Sequence, residues 1–396
     1  MDMFQESIDR TLSKVTEWRR HLHTYPELSF QEFKTTKYII DQIKQLPGVT
    51  WERLTETGVV ARFSCDRPGP VIAMRGDIDA LPVQEESGVS FTSACDGVMH
   101  ACGHDSHAAL LLGALYVLYE SRSNLKGSFV FLFQPAEEKF PGGARALIEK
   151  GALDGVDAII GQHTGSDFPT GHIATKPGPI SANSDVFTLT IHGRGGHASA
   201  PQQCLDPLPV GAQIVTALQQ VISRRVSPND QAVLSITTFH CGTVDNVIAD
   251  TAELSGTVRT YKAATRNLIE QSIKEISERY ALCAGMTAEC VYRRGYDSTC
   301  NTPVFANALL EVARELYGPE AVELAQARMG GEDFGYYLQK VPGCFYYFGI
   351  KSEEAKSTYP NHNAHFRIDE RSFEPALSVM VHSAVRFQQI IEQEKK

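Results

Sequence analysis

Four short apolar runs limit this 396-residue chain more than any other feature: 58–64 (GVVARFS), 71–75 (VIAMR), 128–133 (SFVFLF) and 157–162 (DAIIGQ). Each is too short for a helix and apolar enough to be a strand buried on both faces. A long apolar segment, 105–122, has helical length and lies between the second and third. Strands alternating with helices predict an α/β sheet with parallel members. Ahead of them, Ile8, Leu12, Val15, Trp18 and Leu22 recur at helical spacing up to the Tyr25-Pro26 break, and a second helix is expected around 32–45. Past the Gly- and Pro-rich 176–181 (KPGPIS) the order becomes strand, helix, strand, strand, helix, strand through residue 294, a split βαβ, ferredoxin-like arrangement. A strand near 344–349 and a helix over 372–393 return to the first pattern, so the second domain reads as an insertion. The expected bounds are 1–182 with 297–396 for a discontinuous first domain and 183–296 for the inserted one. Two domains also suit a length beyond what one core organises.

Composition excludes several classes of function. With 42% hydrophobic and 21% charged residues the chain is not of the disordered kind. The apolar stretch near 107–119 is shorter than the ~18–20 residues that cross a bilayer, and the polar, amphipathic N-terminus has no signal-like apolar region, so a cytoplasmic protein is expected. Nine cysteines, an odd number without paired spacing, predict no disulfides. A net charge of −10 disfavours nucleic acid and anionic membranes as partners and leaves a small molecule.

The chemistry-bearing residues cluster at strand ends. Met99 to His107 (MHACGHDSH) holds three histidines, a cysteine and an aspartate just before the apolar helix. Cys102 and His104 flank a glycine that lets both turn toward one point, and the helix N-terminus that follows is expected to favour a thiolate. Sulfur and imidazole together suit a transition metal; a buried neutral cysteine beside surface histidines is the bland alternative. Gln134-Pro135-Ala136-Glu137-Glu138 follows SFVFLF directly. Adjacent carboxylates repel, and a metal resolves this when one glutamate ligates while its neighbour serves as general base; alone, the pair reads as a solvated turn. His163 closes the strand 157–162, and the loop 361–366 (NHNAHF) offers His362 and His365, which spacing alone does not separate. Asp77 and Asp79 in RGDIDALP could ligate, hold a histidine from behind or cap a turn. In the inserted domain, HGRGGHASAP places His197 in a glycine-rich turn without the spacing of a phosphate cradle, and Asn246 and Arg259 stand near strands. Such an arginine is either a surface charge or a carboxylate clamp.

In this order, RGDIDALP, HACGHD, FQPAEE, GQH, GRGGHASAP, NVI, TVRT, MGGEDF and HNAHF resemble the metal-dependent aminoacylase and carboxypeptidase superfamily over nearly the whole chain. The nearest resemblance is to its amidohydrolase branch, which includes hippurate hydrolases, indole-acetic-acid amino acid hydrolases and N-acetyldiaminopimelate deacetylases. The resemblance implies a dinuclear-metal catalytic domain, with a mixed, largely parallel sheet flanked by helices, and an inserted lid and dimerisation domain. It implies two divalent metal ions (zinc, manganese, cobalt or nickel) on Cys102, His104, Glu138, His163 and His362, with Cys102 bridging. It selects His362 over His365 because the family histidine stands four residues before an aromatic, here Phe366. Glu137 is then the general base, Asp79 backs a metal ligand, and His197 reaches a partner subunit's site in a homodimer to hold the oxyanion. Asn246 and Arg259 grip the substrate carboxylate. The expected reaction is hydrolysis of the amide bond of an N-acyl amino acid. The alternatives are a dipeptidase or carboxypeptidase on short peptides, or a non-catalytic binding protein of the same fold. Two departures stand out: Thr164-Gly165-Ser166-Asp167 follows His163 where an aromatic or proline is usual, and Asn363-Ala364 stands where a proline is common.

Overall fold

A computed structural model describes residues 3–395; Met1, Asp2 and Lys396, which the expected bounds include, lie outside the described residues. In chain order the first unit begins with α1 (Gln5–Thr24), α2 (Phe33–Ile43), β1 (Thr50–Glu52), β2 (Val59–Ser64), β3 (Arg67–Asp77), α3 (His104–Glu120), β4 (Lys126–Gln134), β5 (Ala158–Pro169) and β6 (Ile173–Thr175). The second unit holds β7 (Asn183–His192), α4 (Pro207–Gln220), β8 (Ala232–Cys241), β9 (Thr251–Thr260), α5 (Ala263–Cys283) and β10 (Thr287–Arg294). The chain then returns to the first unit with α6 (Pro303–Tyr317), β11 (Val322–Leu324), β12 (Gly343–Lys351) and α7 (Phe373–Glu394).

The first unit is built on an eight-stranded sheet in the order β1-β2-β4-β3-β5-β12-β6-β11. Its middle four strands, β4, β3, β5 and β12, run parallel, whereas β2 is antiparallel to β4 and β6 to β12. The run Phe129 to Phe133 is buried at every position, as a central strand covered on both faces requires. In α3 every residue from His104 to Leu118 is buried, so this helix has no polar face. It packs tightly against α1: a Cβ on Gly113 would meet Val15 Cγ2 at 2.7 Å. α6 starts at Pro303, whose missing N–H costs nothing in the first turn, and stops at Gly318, whose φ of 84° suits a glycine.

The second unit is a four-stranded antiparallel sheet, order β8-β9-β7-β10, whose buried face meets α4 and α5. Along β7, Phe187, Leu189 and Ile191 alternate inward and join Leu254, Val258, Ile214 and Ile273 in one core. The two compact units are Met1–Ile180 with Thr299–Gln326 and Asp333–Lys396, and Ser181–Ser298 with Ala327–Glu332. The bounds 183–296 therefore need correction, because a short return segment also belongs to the second unit. That segment is held by the Ala182 N–H donating to Gly330 O, by a Ser181–Arg328 bridge and by Gly331 against Ser184. Among the described residues no helix is long and apolar enough to cross a membrane.

Candidate metal and catalytic site

Three parallel strands bring the site residues to one end of the sheet, where α/β proteins bind ligands. β3 ends at Asp77, with Asp79 just beyond; β4 ends at Gln134, ahead of Glu137 and Glu138; β5 carries His163. His163 is not at the end of its strand, as the sequence suggests. β5 runs on through 164–169 (TGSDFP) because β12 pairs with it there, Tyr347 opposite His163 and Phe348 opposite Thr164. Gly103 adopts φ 91° between Cys102 and His104, and its α-carbon lies so close to Thr164 that a Cβ would meet Cγ2 at 2.6 Å. Glycine alone fits both conditions.

Ligand atoms converge in overlapping triads. Cys102, His104 and His163 form one, and Cys102, Glu138 and His362 a second; within each, the atoms lie within 4.8 Å of one another. Cys102 belongs to both. His104, Glu137 and Glu138 make another such group. Individual distances are Cys102 Sγ to His163 Nε2 3.3 Å, His362 Nε2 to Glu138 Oε1 3.2 Å and His104 Nε2 to Glu138 Oε1 3.8 Å. Asn361 Nδ2 donates to one carbonyl and one hydroxyl, Cys102 O and Thr164 Oγ1. His362 has φ 69° and its N–H donates to Ala101 O, which ties the late loop to the cysteine turn. His365 points elsewhere, its Nδ1 on Glu86 O and its ring beside Tyr359.

The histidines are held from behind. His104 Nδ1 lies 3.1 Å from Asp79 Oδ1, and Asp79 Oδ2 accepts from the Glu138 N–H at 3.0 Å, so one carboxylate braces residues from two loops. His163 Nδ1 faces Thr164 O at 2.8 Å; with that nitrogen donating, Nε2 presents its lone pair to the cluster. His107 accepts from the Thr164 N–H through Nε2, while its Nδ1 contacts Asp77 at 2.6 Å. Deeper still, Arg75 is fully buried and donates to Gln134, Asp77 and Asp333 at 2.8, 2.6 and 2.8 Å. Arg75→Met takes the guanidinium from two buried carboxylates, leaving Asp77 with its histidine partner and Asp333 with hydrogen bonds from Gln134 and Ala144, so a loss of about 3–5 kcal/mol of unfolding free energy is expected. Guanidinium titration checks this, and a loss under about 1 kcal/mol would count against a supporting role for Arg75.

The electrostatics favour cations. Asp77, Asp79, Glu137 and Glu138 surround His104. Burial alone would depress His104, but Asp77 and then Asp79 and Glu138 outweigh it and push it up to about 10. His163 is held well below the usual imidazole range by burial and by His107. The expected thiolate at Cys102 is not favoured by the protein alone: burial, reinforced by Glu138, Glu137 and Asp77, pushes the thiol well up and overrides the helix N-terminus. A soft thiol made acidic only by a cation is a metal ligand's chemistry. Two buried atoms of the cluster, His104 Nε2 and Glu138 Oε1, are left without a hydrogen-bond partner. Buried polar atoms left without partners on a sulfur, nitrogen and oxygen donor set fit divalent transition metals, which would displace the His104 proton.

His197 and Asn246 lie beside each other in the second unit, with Val247 paired to His197 and the Ala198 N–H on Asn246 O. Both are exposed. Arg259 sits half-buried on β9, with Nη1 donating to Val258 O and Asp185 O and contacting Thr257 Oγ1.

Residues 73–386 match the model of peptidase family M20/M25/M40. The chain belongs to this family. It is accordingly a hydrolase acting on amides. The M20 chain is 41% identical over 375 residues to the N-acetylcysteine deacetylase of Bacillus subtilis (strain 168), covering 94% of this chain and 96% of that protein. It is 37% identical over 373 residues to thermostable carboxypeptidase 1 of Saccharolobus solfataricus, covering 92% and 94%. Among solved structures, the YXEP protein of Bacillus subtilis, a dinuclear metal binding peptidase from the M20 family, superposes with a TM-score of 0.85 at 37% identity, over 96% of this chain and 99% of that one.

Proposed function

We propose that this protein hydrolyses the amide bond of N-acyl amino acids with two divalent metal ions held by Cys102, His104, Glu138, His163 and His362. The observation that carries the reading is the pair of ligand triads sharing Cys102, with the buried Glu137 carboxylate beside Glu138. Cys102 would contribute to both groups of ligands. When bound, the ions polarise the amide carbonyl and lower the pKa of the attacking water. The rest is done by the chain. Glu137 takes the proton from the water and delivers it to the leaving amine. Asp79 holds His104 Nδ1 and so keeps Nε2 on the side of Glu138, where it would ligate. His197 donates to the developing oxyanion, a contribution of about 3 kcal/mol by comparison with other oxyanion donors. Arg259 and Asn246 recognise the α-carboxylate, the guanidinium through the nitrogens that Nη1 does not use. The second unit acts as lid and dimerisation domain, and His197 serves the site of a partner subunit.

Similarity to a carboxypeptidase favours short peptides as a second substrate class. A panel of N-acetyl amino acids, N-blocked peptides and unblocked dipeptides, tested on protein reconstituted with zinc, manganese, cobalt or nickel, separates the readings. Turnover of N-acetyl amino acids supports the first; exclusive turnover of unblocked dipeptides refutes it.

Arg259→Ala should raise KM about 10- to 100-fold for substrates with a free α-carboxylate, as expected when a charged hydrogen bond worth about 1.5–3 kcal/mol is lost, and much less for their amides. His197→Ala should lower kcat about 10²-fold or more. Mixing inactive Glu137→Gln chains with inactive His197→Ala chains should restore part of the activity in heterodimers purified through two tags. No recovery in those heterodimers removes the partner-site role of His197.

A further inference from the structure

The Glu137–Glu138 pair depends on an unusual stretch of backbone. Ala136, directly before it, sits at φ 56°, a left-handed conformation that costs an L-residue roughly 1–2 kcal/mol. A strained, non-glycine residue persists only where its surroundings hold it. What holds it is Glu32, fully buried and 104 residues away, whose Oε1 accepts the Ala136 N–H at 2.8 Å. The other oxygen of Glu32 accepts from Thr57 Oγ1 at 2.8 Å, and Thr36, one turn along α2, accepts the Gly58 N–H. Gly58 in turn lies against Pro135, where a Cβ would meet the ring at 2.6 Å. On the far side of Glu137, the Glu138 N–H is held by Asp79, which is itself braced by Ser29. Two carboxylates from outside the loop therefore hold the amides on either side of Glu137, and both are anchored through the segment 27–36.

We propose that Glu32 is a positioning residue for the reaction, fixing Ala136 so that the Glu137 side chain serves as base while Glu138 turns to the metals. This rests on the assignment of Glu137 and Glu138 made above. Glu32 touches no reacting atom. Its role is to accept one hydrogen bond, which a neutral side chain does equally well; burial and Asp79 in fact push its carboxyl up to about 7.

Four variants test it: Glu32→Ala, Glu32→Gln, Glu32→Asp and Glu137→Gln. Each is measured for kcat and KM, for zinc affinity by calorimetric titration of the metal-free protein, and for exchange of the amides over 134–138. Glu32→Ala should lower kcat and weaken zinc about 10- to 100-fold, the usual range for groups behind metal ligands, with KM little changed and the 134–138 amides exchanging faster. Glu32→Gln should stay within a few-fold of wild type, because its Oε1 still accepts from Ala136 and its amide donates to Thr57. Glu32→Asp keeps the charge but withdraws it from Ala136; it should behave as the alanine variant does, and it supplies the result if Glu32→Ala fails to fold. Wild-type kcat and zinc affinity in a folded Glu32→Ala or Glu32→Asp protein overturns the inference. So does a Glu32→Gln protein as impaired as Glu32→Ala. Wild-type turnover in Glu137→Gln instead overturns the assignment of the base, and the zinc and exchange measurements still report on Glu32.

Discussion

Glu137→Gln should remove turnover, by about 10²–10⁴-fold in kcat, while metal content stays near that of the parent protein. The amide is isosteric, so the buried position keeps its packing, and every proposed ligand atom, Glu138 Oε1 included, remains in place. What is lost is the capacity to take a proton from water and hand it to a nitrogen leaving group. The expected signature is therefore a fall in kcat with KM little altered and two metals per chain by elemental analysis. Activity equal to the parent would mean that the base is another group. Loss of both activity and metal would make Glu137 a ligand.

Cys102→Ala should have the opposite signature, losing metal and activity together. Cys102 Sγ is the donor common to two triads, so its removal weakens both at once. It is the only sulfur donor in these groups, so no neighbouring side chain replaces it in kind. Parent protein at a hundredfold excess of free metal over Kd gains about 2.7 kcal/mol from binding; the variant should show little of that in a thermal scan with and without metal. Full occupancy of both metals in Cys102→Ala contradicts the assignment of Cys102 as a ligand.

Much of the first unit is legible because a central strand of a parallel sheet must be apolar throughout, and SFVFLF and VIAMR have no other reading. The ends of such strands are less legible. Residues 164–169 (TGSDFP) have no apolar run or alternation, and nothing local marks them as strand; their partner is β12, far along the chain. β6 and β11 have three residues each, too few to show a period. α6 is legible in principle, since it has helical spacing and a proline at its start. In the site, Cys102, His104, Glu137 and Glu138 declare themselves by density, since liganding groups stand within a few residues of one another. Glu32, Arg75 and Asp333 do not, because each gains meaning only from a partner on another element. Their hint is chemical: a carboxylate or guanidinium next to apolar strand or helix positions has to be paired if it is buried.

The strand Gly343–Lys351 also sets a schedule. It fits between β5 and β6, and its Tyr346 reaches Gln162 across 184 residues of chain. At about 5–20 residues per second of synthesis, the ribosome needs on the order of 10–40 s to deliver that strand after β5 has emerged. Throughout this interval β5 has an open, apolar edge, a surface on which nascent chains aggregate. His362 emerges later still. A chain arrested before residue 343 would carry four of the five proposed ligands on an unfinished sheet, so supplying metal early in synthesis would not rescue it, whereas a chaperone covering that edge would.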